Sequence, residues 1–127
     1  MIARININAQ LIQPTINAVK DFLEYEPIGE VYVAGSWNNW GDSPEKAGCI
    51  RPKKEYQMRL EAGRYVWEGN ISIGLHEFKP VVITSTADTD GMCNASWIKY
   101  PERFIKFYSR APNSKHGNWQ IILKPPR

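Results

Sequence analysis

The segment Trp37-Asn38-Asn39-Trp40 sets two indoles around a pair of asparagines, directly after the run Val31-Tyr32-Val33-Ala34-Gly35. The run is strand material, and Gly35 with the two asparagines marks an abrupt exit into a loop. Loops are normally polar, so an indole just past such a turn is costly unless its face is used. Trp40 therefore has two readings: a lid folded back on the core, or a flat aromatic platform for a ligand. A second unusual placement is Lys79, a single cation inside Gly74-Leu75-His76-Glu77-Phe78-Lys79-Pro80-Val81-Val82-Ile83.

Catalytic chemistry finds little to work with. The only histidines, His76 and His116, are the side chains that titrate near neutral pH. Asp42, Asp88 and Asp90 fall in polar stretches, without a recognisable carboxylate pair, nucleophile–base motif or phosphate-binding glycine loop. Cys49 and Cys93 are far apart, with no Cys-x-x-Cys spacing, so a zinc site lacks ligands and free thiols are expected, a single bridge being the alternative. No enzyme activity, cofactor or metal is expected.

The elements that must position these residues are mostly strands. Residues 4–12 alternate Ile5, Ile7, Ala9 and Leu11 with Asn6, Asn8 and Gln10, a half-buried strand ended by Pro14. Thr15 is placed to cap a short helix over 15–25, whose Ile16, Val19, Phe22 and Leu23 share one face. Tyr56, Met58 and Leu60, the turn Glu61-Ala62-Gly63, then Tyr65, Trp67, Gly69, Ile71 and Ile73 read as a hairpin. Strands follow at 76–84, 103–108 and 119–124, with a polar stretch over 84–96. Many short strands separated by turn signals define an all-β chain of sandwich type.

Composition supports one folded domain. A chain of 127 residues, 43% hydrophobic and 23% charged, buries about two-thirds of its unfolded surface. Its net charge of +3 is mild, and its basic residues are scattered apart from small groups at Arg51, Lys53, Lys54 and at Arg103, Lys106, Arg110. These read as solvated faces, so no nucleic-acid partner is expected. No apolar run approaches the roughly 20 residues that span a bilayer. The first residues lack the continuous apolar core of a secretory signal, so an intracellular location is expected, in cytoplasm or an organelle matrix.

Two segments together carry a resemblance. Gly35-Ser36-Trp37-Asn38-Asn39-Trp40 and the later Gly74-Leu75-His76-Glu77-Phe78-Lys79 resemble the family-48 carbohydrate-binding modules. These include the glycogen-binding domain of the AMP-activated protein kinase β subunit and the N-terminal domains of branching and debranching enzymes. The resemblance covers residues 28–123, strongest at 31–40 and 74–82. It implies an immunoglobulin-like β-sandwich over 28–127, and the N-terminal strand and helix over 1–27 are an extension that departs from the family. It also implies a non-catalytic module that binds α-glucan polysaccharide, glycogen- or starch-like.

A pyranose ring presents an apolar face of C–H groups and a rim of hydroxyls. Indoles stack on the face, while amide and ammonium groups bond the rim. By the resemblance, Trp40 and Trp97 take the stacking positions, and Lys79 and Asn118 contact hydroxyls. Trp97 departs from the pattern, because Met92-Cys93-Asn94-Ala95-Ser96 separates it from Asp90-Gly91; a core role is its alternative. Trp37 takes the place of a buried aromatic, and Trp67 lies on a core face. Pro80 stands where the family prefers an aromatic, and it implies an edge or bulged strand that would redirect Lys79. The competing reading is an accessory subunit of a larger assembly that keeps the sandwich and has lost sugar binding. A protein partner or host complex is expected in either case.

Overall fold

The computed structural model describes residues 2–16, 28–41, 52–84, 95–101, 105, 108–112 and 115–125. Within them lie eight strands: β1 (Ile2–Asn8), β2 (Ile28–Gly35), β3 (Gln57–Glu61), β4 (Arg64–Asn70), β5 (Gly74–Thr84), β6 (Ala95–Trp97), β7 (Ser109–Arg110) and β8 (Trp119–Leu123). One α-helix, α1 (Ala9–Ile16), and a single 3₁₀ turn at Lys54–Tyr56 accompany them. All described strand pairs are antiparallel, in the order β1-β4-β3-β2-β5-β8-β7, with β6 also pairing β5. The protein is all-β, built on one curled antiparallel sheet.

Alternation explains both the sheet and its curl. Ala3, Ile5 and Ile7 of β1 turn inward while Ile2 and Arg4 face solvent. Register puts Ile5 opposite Trp67 and Ile7 opposite Tyr65, so the inward rows of β1 and β4 coincide. These residues share one apolar cluster with Val31 and Val33 of β2, Phe78 and Val82 of β5 and Trp119 of β8. Strands distant in the sheet order therefore meet in one interior, and each fully buried aliphatic side chain there contributes about 1.5–3 kcal/mol. Tyr108 links strands from the two ends of that order. Its hydroxyl accepts the Asn6 N–H at 2.9 Å and donates to the Asn6 carbonyl at 3.3 Å.

The N-terminal region departs from its expected boundaries. The strand stops at Asn8 and the helix begins at Ala9, before Pro14 rather than after it. Asn8 is the reason: its Oδ1 accepts the N–H of Gln10 at 3.0 Å, capping the helix about two turns earlier than Thr15 would. The Ala9 N–H is taken by the Gly63 carbonyl at 3.0 Å, which ties the helix start to the β3–β4 turn. The part of the expected helix beyond Ile16 lies outside the described residues, as do Cys49, Cys93, Asp42, Asp88 and Asp90.

Two further differences concern strands. Of the expected strand over 103–108 only Ile105 and Tyr108 are described, and they form an isolated bridge to each other; the pairing strand described is the short β7 that follows. Strand β6 arises within the stretch read as polar, because Ala95, Ser96 and Trp97 pair with Ile83, Val82 and Val81. Among the described residues, no helix is long and apolar enough to cross a membrane.

Candidate functional site

The outer face of the sheet, opposite the main core, carries a second apolar cluster. Tyr32 and Ala34 of β2 and Val81 and Ile83 of β5 are buried there, with Trp40 and Trp97 packed over them. Lys79 projects to the same face, since it shares the period-2 parity of Val81 and Ile83.

Trp40 is positioned by an asparagine clasp. The buried Asn38 accepts the N–H groups of Gly35 and Gly41 on Oδ1, both at 2.9 Å, and donates from Nδ2 to the Val33 carbonyl at 3.0 Å. The Gly35 carbonyl in turn accepts the N–H groups of Asn38 and Trp40. This closes the chain into a loop in which Asn39, Trp40 and Gly41 all have positive φ, 51°, 55° and 93°. A bulky aromatic in that region costs about 1–2 kcal/mol, and the clasp holds it there. Trp40 ends up half-buried, with its ring centroid 6.5 Å from that of Trp97 and the two planes inclined by 50°.

Trp97 is set by pairing opposite Val81, followed by an Ile98 N–H bond to the Pro80 carbonyl at 2.9 Å. Pro80 itself corrects an expectation. Its strand is central and unbulged at that point, with continuous register from Glu30–Ile83 through Gly35–Phe78. A proline is tolerated because its nitrogen faces the side where β8 pairing ends at Phe78 and β6 pairing starts at Val81. Lys79 is therefore not redirected.

Asn118 lies one step beyond the Phe78–Trp119 pair, which brings it beside Lys79 across the β5–β8 ladder. Its Nδ2 donates to Glu77 Oε1 at 3.2 Å. Trp40, Lys79, Trp97 and Asn118, chosen from sequence, thus line one surface hollow of about 240 Å³, together with His116. Sequence reasoning considered His116 only as a lone titratable group. Its signal was proximity, two residues before Asn118 in the same loop.

Electrostatically the hollow is unusual. Lys79 is only 7% exposed, and among the described residues its ammonium has no hydrogen-bond or ion-pair partner. Burial, with a smaller push from the Lys99 ammonium, lowers its pKa below the usual 10.5. Lys99 lies along Gly117, with its Cβ and Cγ 3.1 and 3.2 Å from where a Cβ at Gly117 would stand. A larger hollow of about 350 Å³ is lined by Arg4, Asn6, Arg64, Tyr108, Ile121 and Ile122. Its polar groups already serve one another, since Arg4 pairs with Glu61 and Glu68, and Arg64 bonds Asn6.

Of two aromatic residues expected in the core, Trp67 is buried and Trp37 is only half-buried at its margin. Trp67 donates from Nε1 to the Glu55 carbonyl. Trp37 lies 5.9 Å from Trp67 and 6.0 Å from Phe78 between ring centroids. His76 is held between Ser36 on Nδ1 and Ser72 on Nε2, its ring edge-on to Trp37. Among the described residues no carboxylate bonds His76, and the two serine contacts read as a brace between β2 and β5. Among the described residues, no group of three or more metal-ligating side chains comes together. Compared with protein-family models and with curated proteins, the chain matches none.

Proposed function

We propose that the hollow is the ligand face of a non-catalytic α-glucan-binding module, with an immunoglobulin-like β-sandwich of the family-48 kind. The observation that carries this reading is the largely buried side chain of Lys79, whose ammonium has no partner among the described residues, beside two half-exposed indoles and an amide on one hollow. An apolar ligand would leave that ammonium without a partner. A sugar ring meets both demands, because its C–H face stacks on Trp40 or Trp97 while its hydroxyls accept from Lys79 and bond Asn118. Few groups engage, so a short oligosaccharide binds weakly, with Kd of roughly 1 µM to 1 mM, or about 4 to 8 kcal/mol. The family resemblance supports a role within a larger assembly, where a weak module localises its partner on the polysaccharide.

One observation favours the accessory-subunit reading. Trp40 and Trp97 lean on each other and cover Tyr32, Ala34, Val81 and Ile83, as a lid would. Titration with maltoheptaose, followed by tryptophan fluorescence and by calorimetry, separates the two. Saturable binding that is lost in Trp40→Ala supports the glucan module. No saturable change up to millimolar sugar overturns it in favour of the accessory subunit.

A further inference from the structure

Two lysines stand at the hollow: Lys79 lines it and Lys99 flanks it along Gly117, and neither is ion-paired among the described residues. Two carboxylates share the face by strand parity and keep their charge, but each bonds another group: Glu77 accepts from Asn118, and Glu30 accepts from the Tyr32 hydroxyl. A neutral hydroxyl can accept a hydrogen bond from Lys79 but leaves its charge uncompensated next to Lys99. A phosphate monoester carries about −1.5 to −2 charges near neutral pH and three acceptor oxygens. It can bond Lys79 and face Lys99 at once, and charge-assisted bonds are about twice as strong as neutral ones.

We infer that the hollow selects a glucan bearing a phosphate monoester over the unmodified chain, with the phosphate between Lys79 and Lys99 and an adjoining glucose ring on the indoles. The inference rests on the glucan reading above. Repulsion from Lys99, which lowers the pKa of Lys79, is what a bound anion would relieve.

The test compares maltoheptaose, singly phosphorylated malto-oligosaccharides of similar length, glucose 6-phosphate and inorganic phosphate by calorimetry on the full chain. The phosphorylated oligosaccharide is expected to bind at least about tenfold more tightly than maltoheptaose, and the advantage should shrink as salt rises, because anion contacts are screened. Lys79→Met and Lys99→Met should each erase most of that advantage, with circular dichroism verifying that both variants fold. Equal affinity for phosphorylated and neutral chains overturns the inference and leaves the glucan reading standing. Binding of neither chain overturns both. Inorganic phosphate binding as tightly as the phosphorylated sugar overturns the selection of a glucan, since the hollow is then a simple anion site.

Discussion

Asn38 Oδ1 accepts the Gly41 N–H at 2.9 Å, and this bond closes the loop that carries Trp40 over the outer face of the sheet. The same oxygen holds Gly35, and the same amide reaches back to Val33, so one buried side chain spans the strand end and the loop. The tryptophan that most resembles a ligand platform is therefore held in a strained backbone state by its neighbour two residues earlier.

Asn38→Ala removes three hydrogen bonds and leaves buried donors and an acceptor unmet. Destabilisation of about 2–4 kcal/mol is expected, read from urea unfolding. Trp40 should relax out of its positive-φ state, giving red-shifted fluorescence and loss of maltoheptaose binding. Unchanged stability would show that the clasp is not what holds the loop.

Gly35→Ala tests the close approach at the end of β2. An added Cβ would stand 2.6 Å from the Trp37 ring, 2.8 Å from the Glu77 carbonyl oxygen and 2.9 Å from the Phe78 Cβ. The carbonyl belongs to the paired strand β5 and cannot swing aside, so a loss of about 1–3 kcal/mol is expected in thermal or urea unfolding.

Lys79→Met should stabilise the protein while weakening ligand binding. The folded pKa of Lys79 is lowered, by burial first and by Lys99 second, so the folded chain binds fewer protons than the unfolded one between the two pKa values. The lysine thus costs stability below its folded pKa, and the cost fades as pH rises through the unfolded value. Unfolding at about pH 7 should favour the variant, and the gap should narrow at about pH 10. A variant less stable than the parent at neutral pH would mean that the ammonium has a compensating partner in the fold.

Tyr108→Phe probes the link between β1 and the far side of the sheet. The hydroxyl serves both the N–H and the carbonyl of Asn6, and burial raises its pKa above the usual 10.0. Its removal should cost about 1–2 kcal/mol. The raised pKa contributes stability present below about pH 10 and lost as pH rises beyond it, and the variant should lack that part of the alkaline loss. Hydrogen exchange should show the Asn6 amide opening more readily.

Several features were legible in the sequence for local reasons. The β3–β4 hairpin followed from strict alternation about Ala62-Gly63, and both turn residues have positive φ. The inward set of β1 followed from Ile5 and Ile7. The helix start was misread because Pro14 looked like its boundary, whereas the side chain of Asn8 had already capped it. Strand β6 was missed because Ala95 and Ser96, before Trp97, carry no apolar alternation. Only pairing with the paired and buried β5 makes that stretch a strand.

The sequence by itself determined the all-β class and the residue types available to a sugar face, because strand period and turn chemistry are properties of neighbouring residues. Tertiary structure alone decided that Trp40, Lys79, Trp97 and Asn118 share one hollow, and that Lys79 lies buried there beside Lys99. Convergence depends on register: Val81 opposite Trp97, and Asn118 one step past the Phe78–Trp119 pair. A slip of one residue in either ladder would turn those side chains to the other face. The effect of Pro80 was likewise settled by which strand ends where, since its missing donor falls in the gap between two partners.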